Sequence, residues 1–378
     1  MENKQIAIIG GGIAGLTFSI CLPSQGYQCH IFEKQSEFKE VGAAISVFPN
    51  ALRVFEQVGM LNQILACGGE ITKVFLKTAN GRILAKSQPR YALPSICIHR
   101  KELHAILLKN SPATLHAKHE AKSVKNLPSG KAEVEFENGQ RKVFDAVIGA
   151  DGIHSIVRHH VLGDGKPIFR GYNIWRGVVD TDFDLGYGSE TYGQGRRVGI
   201  VPIREGRYGW WATINEDFLQ DDQPEGTREK LRRLFGDWHD PIPELIANTK
   251  TILKNGICDR IPVRGWTKGS VSLLGDAAHP MTPNLGQGGC LAIEGAYLLA
   301  RAIQKYGITP TAFTRYEALQ FTRSKAITED SLRIGRLGQT EKRLAIWLRN
   351  LVLKATPSST AMKMLDKYFS YQVTNLKI

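Results

Sequence analysis

Gly10-Gly-Gly12-Ile13-Ala14-Gly15 follows the apolar run Ile6-Ala-Ile-Ile9 without a gap, and Leu16-Thr-Phe-Ser-Ile-Cys-Leu22 continues with helical periodicity. A chain that leaves a buried strand and enters a helix within six residues needs backbone where side chains would collide. Glycines spaced G-x-G-x-x-G supply it. Gly10 permits the tight turn, Gly12 lets the backbone approach a ligand, and Gly15 lets helix and strand pack closely. A turn at Gly26 leads to a second strand, Gln28-Cys-His-Ile-Phe32, which ends at Glu33 and Lys34, the acid standing eighteen positions past the last glycine. An acid at that place hydrogen-bonds a ribose hydroxyl. Strand, glycines, helix and acid agree on a dinucleotide-binding βαβ unit, with the pyrophosphate at the N-terminus of the helix.

A second stretch follows the same logic near the other end of the chain. Val271-Ser-Leu-Leu-Gly275-Asp276-Ala-Ala-His279-Pro280-Met-Thr-Pro283-Asn-Leu-Gly286-Gln287-Gly288-Gly289-Cys290 leads into an apolar-periodic helix from about Leu291 to Ile303. Asp276, where the strand ends, is placed to accept hydrogen bonds from a polyol. Pro280 and Pro283 stiffen the loop. Gly286, Gly288 and Gly289 let backbone N–H groups approach a flat ring, and the helix N-terminus stabilises negative charge on that ring by ~0.3–1 kcal/mol. A reduced flavin carries such a charge. The competing reading is a plain Gly-Pro loop between a core strand and a core helix. A third strand-to-helix turn, Ala146-Val-Ile-Gly149-Ala150-Asp151-Gly152, again ends at an acid.

Between these landmarks, Val41-Gly42-Ala-Ala44-Ile45-Ser-Val-Phe-Pro49-Asn50 reads as a ligand-facing loop of small residues, with a bulky ring against Gly42 to Ile45, or as a simple linker. Arg100 opens an amphipathic helix and is placed either to reach a phosphate or to be solvated. Residues 113–147 alternate as strands, with an Asn138-Gly139 hairpin. From Phe169 to Val263 the chain becomes strand-rich and carries Trp175, Arg176, Tyr192, Arg197, Tyr208, Trp210 and Trp211. Alternate strand residues share a face, so some of these aromatics belong to the core and others to a pocket. The tail from Thr311 is helical and basic. Its apolar segment Leu344 to Lys354 suits a helix packed over the protein, the commoner case, or one lying on an anionic membrane surface.

The formal charge of +13 draws anions, a dinucleotide among them. Nucleic acid is not expected, because no aromatic-interleaved basic run or recognition-helix signature is present. Six scattered cysteines without a C-x-x-C pair point to reduced thiols. Met1-Glu-Asn-Lys-Gln runs straight into a strand without the layout of a signal peptide, and no uncharged apolar run approaches ~20 residues, so a cytoplasmic location is expected. No metal site is expected: His116 and His119, and His159 and His160, lack companion ligands and read as solvated.

The three motifs together resemble the single-component FAD-dependent aromatic hydroxylases, the group A flavoprotein monooxygenases, up to about residue 340. The glycines of Gly10 to Gly15 match the first motif, Asp151-Gly152 the D-G motif that touches both FAD and the nicotinamide coenzyme, and Gly275-Asp276 with Pro283 and Gly286 to Gly289 the G-D motif. Val41-Gly-Ala-Ala-Ile-Ser-Val, Gly275-Asp-Ala-Ala-His279 and Gly286-Gln287-Gly-Gly-Cys-Leu-Ala-Ile-Glu294 are most similar to the urate hydroxylase and zeaxanthin epoxidase branch. That resemblance implies FAD contacts at Glu33, Ala44, Arg100, Ala121 and Asp276. It implies substrate contact at Arg197, where the urate enzymes keep an arginine. Gly209 falls where they carry a tyrosine and Arg176 where they carry an asparagine, which counts against urate. Trp210-Trp211-Ala-Thr-Ile214-Asn215 lacks the W-x-W-x-I-P pattern of flavin halogenases.

The expected fold is mixed α/β: a Rossmann-like FAD domain (1–168 and 265–310) interleaved with a β-sheet-rich substrate domain (169–264), then a C-terminal helical region (311–378). The implied activity is hydroxylation of an aromatic or heteroaromatic small molecule, with NADH or NADPH and O2 as co-substrates, through a flavin C4a-hydroperoxide. Arg197 and Arg176 are the candidates for holding a substrate anion. Two rival readings are an epoxidase or hydroxylase of a lipid or polyene at a membrane surface, and a flavoprotein redox sensor that transfers no oxygen.

Overall fold

The computed structural model describes residues 3–38, 43–217 and 224–378, apart from the side chains of residues 224 and 225. Val41 and Gly42, at the head of the small-residue stretch, lie outside the described residues.

The first sheet runs Thr267–Lys268, Val271–Leu273, Ala146–Gly149, Lys4–Ile9, Tyr27–Phe32, Thr114–His116 in spatial order. All neighbours are parallel except the outermost pair at Thr267–Lys268. Such strands are buried on both faces and read as continuous apolar runs, as Ile6-Ala-Ile-Ile9 and Ala146-Val-Ile do. From Lys4–Ile9 the chain first builds outward to Tyr27–Phe32 and later returns to Ala146–Gly149 on the opposite side. That reversal opens a crevice at the carboxyl ends of the strands, where open α/β sheets take their ligands. The helices Ile13–Cys21 and Gly288–Tyr306 pack against each other over one face of the sheet. Their buried residues merge with the strands into one core.

The second sheet has seven strands, in the order Ile252–Asp259, Ile168–Asp180, Arg207–Asn215, Arg196–Arg204, Gly188–Tyr192, Val74–Thr78, Ile83–Ser87. Its last two strands come from the first 90 residues of the chain, which ties the two sheets together. One face carries Trp175, Tyr208 and Trp210 against Leu231, Phe235 and Leu245 of two short helices. Each such side chain, fully buried, contributes about 1.5–3 kcal/mol. The other face looks toward the crevice.

A small antiparallel sheet, Ala44–Val47, Ile96–His99 and Gly68–Glu70, bridges the two. Here the structure corrects the reading of residues 44–47 as loop or linker. Ile45, Ser46 and Val47 are short or β-branched residues that pair readily with Ile96, Cys97 and Ile98. The Asn138-Gly139 hairpin forms as expected, with Gly139 at φ +82° joining Ala132–Phe136 to Arg141–Phe144. The tail is helical: Pro310–Gly338, Arg343–Ala355 and Ser358–Phe369.

The histidines expected to be solvated are largely not. His116 stacks on Phe32 with ring centres 4.6 Å apart, His119 packs edge-on against Phe136, and His160 meets the Asn126 amide; His159 alone is exposed. Phe32 and Phe136 present apolar faces that the sequence spacing of the histidines does not reveal.

Candidate active site

The crevice continues into one cavity of about 840 Å³ that reaches from the Gly10 turn to the open face of the seven-stranded sheet. At the first end, Gly10 sits at φ +107°, and a Cβ there would run into the Ala150 carbonyl. A Cβ on Gly15 would meet the Gly10 carbonyl, so this glycine serves packing and does not line the cavity. Gly12 precedes the helix Ile13–Cys21, and among the described residues no side chain caps its first N–H groups. They remain available to an anion. Glu33 is fixed beside them: Oε2 accepts from the Gly11 N–H at 3.0 Å and Oε1 from the Gln35 N–H at 3.0 Å. Ile13, Ala14, Lys34 and Ala121 complete this end.

In the middle, Asp276 lies on the single turn Gly275–Ala277 and exposes its carboxylate to the cavity. The protein enclosing it raises its pKa, and Arg100 opposes that rise. Gly275 turns away and packs on Ala14. Pro283, Gly286, Gly288 and Gly289 line the cavity, whereas Gln287 is fully buried and its side-chain oxygen accepts from Asn50 Nδ2 at 3.0 Å. The helix Gly288–Tyr306 starts at the cavity wall without a side-chain cap and without an acid in its first turn. Ala44 and Arg100 also line the cavity.

Asp151 reaches the cavity edge, but its carboxylate points back into the protein. It accepts from Ser155 Oγ at 2.5 Å and the Ile156 N–H at 2.8 Å, closing the start of the helix Ile156–Leu162. Burial raises its pKa against those hydrogen bonds. From this helix Arg158, 1% exposed, sends Nη1 to the carbonyls of Ala277 and Ala278 at 2.8 and 2.9 Å while Nε meets Asp164. Arg158 thus supports the turn that carries Asp276, a role with no local sequence signal.

At the far end, Arg176, Trp211 and Gly199 form one row across three strands, and Ile174, Thr213 and Arg197 the next. Gly199 leaves room for the Trp211 ring, which lies over it; Trp210 points the other way and donates to Thr249 Oγ1 at 2.7 Å. Gly209 has no space for a side chain, since a Cβ would strike Ala44. Arg197 lines the cavity but is 2% exposed, and three of its five N–H donors are engaged, with Nε on Gln339 Oε1 at 2.7 Å, Nη2 on Asn284 Oδ1 at 2.7 Å and Nη1 on Glu190 Oε1 at 2.9 Å. Asn284 also accepts from and donates to the Tyr172 hydroxyl region and binds the Ser331 carbonyl. Arg176 contrasts with it. Its side chain reaches Asn255 Oδ1, Nε has no hydrogen-bond partner among the described residues, and burial followed by the nearby Arg100 lowers its pKa.

These residues fit an FAD. Among the described residues two helix N-termini without side-chain caps open on the cavity and suit an anionic group and a flat ring, and Glu33 and Asp276 present carboxylates able to accept from hydroxyls. Comparison with known proteins agrees. The FAD binding domain family model matches residues 3–307. The chain belongs to this family. It is an FAD-dependent monooxygenase of the aromatic hydroxylase type. Aurachin C monooxygenase/isomerase of Stigmatella aurantiaca is 38% identical over 93% of this chain and 94% of its own length. A 3-amino-4-hydroxybenzoate 2-monooxygenase of Streptomyces cremeus is 30% identical over 88% and 87%. A variant of HpxO of Klebsiella pneumoniae, solved with FAD, superposes with a TM-score of 0.88 at 25% identity, covering 97% of this chain and 98% of that one.

One neighbour of the monooxygenase's G-D motif sets a pH limit. His279 is 4% exposed, packs 5.5 Å from the Trp266 ring centre, and has no partner for either ring nitrogen among the described residues. Burial pushes its pKa from 6.5 to about 4. Because the folded value lies below the unfolded one, the neutral form stabilises the fold fully above pH 6.5, and that contribution is lost as the pH falls toward 4. A difference of about 2.5 units corresponds to about 3 kcal/mol. Urea unfolding at pH 7 and pH 4.5 is expected to show this loss in the parent and a flatter acid limb in His279→Leu; equal slopes would refute the assignment.

Proposed function

We propose that this monooxygenase hydroxylates an anionic aromatic or heteroaromatic small molecule, with NADH or NADPH as electron donor and O2 as oxidant. The observation that supports this reading most is the single cavity joining the cofactor end to a pocket with Trp211 on one side and Arg176 beside it. FAD held by the residues named below would supply the redox chemistry, electron acceptance from NADH or NADPH and oxygen transfer from O2.

The chain's own residues bind, orient and keep the site dry. Gly12, Ile13, Ala14, Glu33, Lys34 and Ala121 hold the nucleotide half, with Gly10 and Gly15 shaping their turn. Asp276, Ala44, Arg100, Pro283, Gly286, Gly288 and Gly289 hold the polyol and ring. Gly275 and Gln287 act behind them through packing, and Asp151 through the helix it caps. On the substrate side Arg176 holds the anionic group of the ring, which keeps the ring electron-rich and ready to attack an electrophilic oxygen. Arg197 is a positioning residue, because three side-chain oxygens already occupy its guanidinium. Trp211 supplies the flat apolar wall. The apolar lining from Ile174, Val201 and Ile257 excludes water, which would otherwise divert reduced oxygen to H2O2.

The test is NADH and NADPH oxidation by the flavin-loaded protein against aromatic acids, phenols, purines, quinolones and uncharged polyenes, with H2O2 counted in parallel. An anionic aromatic compound is expected to accelerate oxidation at least about tenfold with little peroxide, an effect on the order of 1.4 kcal/mol. Acceleration by polyenes alone, or by nothing, would overturn the reading.

A further inference from the structure

The helix Arg343–Ala355 is apolar on two sides. Its inner side is half-buried through Ile346, Arg349 and Leu353, and the Arg349 guanidinium lies 4.7 Å from the Tyr192 ring centre and donates to the Gly338 carbonyl. The outer side carries Leu344, Trp347, Leu348, Leu351 and Val352. Their spacing of i, i+3, i+4, i+7 and i+8 places them in one stripe, and each is between 47% and 69% exposed. Met364, on the following helix Ser358–Phe369, is 64% exposed. A helix that only packs on its own protein turns a polar face to water. A contiguous outward apolar stripe marks a surface that something covers.

Charge distinguishes among the candidates for that cover. Between Lys342 and Leu365 the chain carries Lys342, Arg343, Arg349, Lys354 and Lys363 and no acidic residue, on a protein of net charge +13. All of these except Arg349 are exposed. A second copy would set the same cations against these ones, which opposes association. An anionic bilayer supplies opposite charge at its headgroups and an apolar boundary just beneath, where tryptophan is favoured. No helix among the described residues is long and apolar enough to cross a membrane. A helix that meets such a surface without crossing it lies in the plane of the interface.

We propose that the outer face of Arg343–Ala355, together with Met364, docks the protein on an anionic phospholipid bilayer. Trp347, Leu348 and Leu351 enter the headgroup–acyl boundary, and Lys342, Arg343, Lys354 and Lys363 meet the phosphates. This surface is separate from the catalytic residues.

The full flavin-loaded chain is tested by co-sedimentation with vesicles of phosphatidylglycerol and phosphatidylcholine, and of phosphatidylcholine alone. Binding is expected to be at least about tenfold stronger to the anionic vesicles and to weaken with salt. In the double variant Trp347→Glu, Leu351→Glu, binding to the anionic vesicles is expected to fall at least about tenfold, with FAD content and NADH oxidation unchanged. Equal binding to both vesicle types, no binding to either, or unchanged binding of the variant would overturn the proposal. So would light scattering that shows a dimer which the variant dissociates, since a second copy would then be the occupant. NADH oxidation is read without vesicles, so failure to dock leaves the proposed reaction standing.

Discussion

Arg158→Ala is expected to lower the stability of this enzyme by about 3–5 kcal/mol in urea unfolding and to weaken FAD binding at least tenfold. The Arg158 guanidinium is 1% exposed and joins three separate pieces of chain: its own helix, Asp164 just past that helix, and the carbonyls of Ala277 and Ala278. Asp164 is 28% exposed and is also reached by Arg260, so the ion pair itself contributes little to the loss. The two carbonyls decide the size of the effect. Each is left buried without its donor at a cost of about 1–3 kcal/mol, and the missing side chain leaves a void besides. Both belong to the turn that sets Asp276, so the flavin site loosens with the fold. Arg158→Lys is expected to fall in between, because a single ammonium cannot face Asp164 and two carbonyls at once. Flavin fluorescence titration of the apoprotein measures the second effect. A variant as stable as the parent, with unchanged FAD affinity, would show that the turn is held by other contacts.

What the sequence displays follows from how far each role reaches along the chain. The Gly10 turn, Glu33 and Asp276 are legible because strand, turn and helix are contiguous, and the chemistry of each residue is set by its own few neighbours. The mixed α/β fold is legible for the same reason: apolar runs and glycine turns specify the parallel sheet locally. Asp151 is legible as an acid at a strand end, but not as the group that closes its own helix, because the direction of a carboxylate depends on which N–H groups are unsatisfied nearby. Trp210 and Trp211 must face opposite ways, yet adjacency alone does not tell which one enters the cavity. The choice falls to Gly199 on the neighbouring strand, eleven positions or more away, whose missing side chain admits one ring. Arg158 with Ala277, and Arg197 with Gln339, are separated by 119 and 142 residues. No periodicity records such pairs. Residues 44–47 show the opposite failure: small residues next to a cofactor motif suggest a loop, but pairing with Ile96–His99 makes them a strand.

The contrast between the two arginines leads to the second large effect, on turnover instead of stability. Arg176→Gln is expected to reduce kcat/KM for the coupled substrate at least about 100-fold, or about 3 kcal/mol, while FAD content stays near that of the parent. Arg197 begins with its charge paired to Glu190 and two further donors committed to Asn284 and Gln339. Its charge is therefore already compensated before a ligand arrives. Arg176 keeps a donor without a partner among the described residues and feels Arg100 as a like charge, a combination that raises the free energy of the empty site and is relieved when an anion arrives. Replacing it by glutamine removes that relief without emptying the space. Arg197→Gln should act differently, lowering stability through the exposed ends of its network and changing KM more than kcat. If Arg176→Gln instead weakened flavin binding and left kcat/KM of the loaded enzyme intact, Arg176 would belong with Arg100 to the cofactor, and the substrate's anion would have to be sought elsewhere on the Trp211 face.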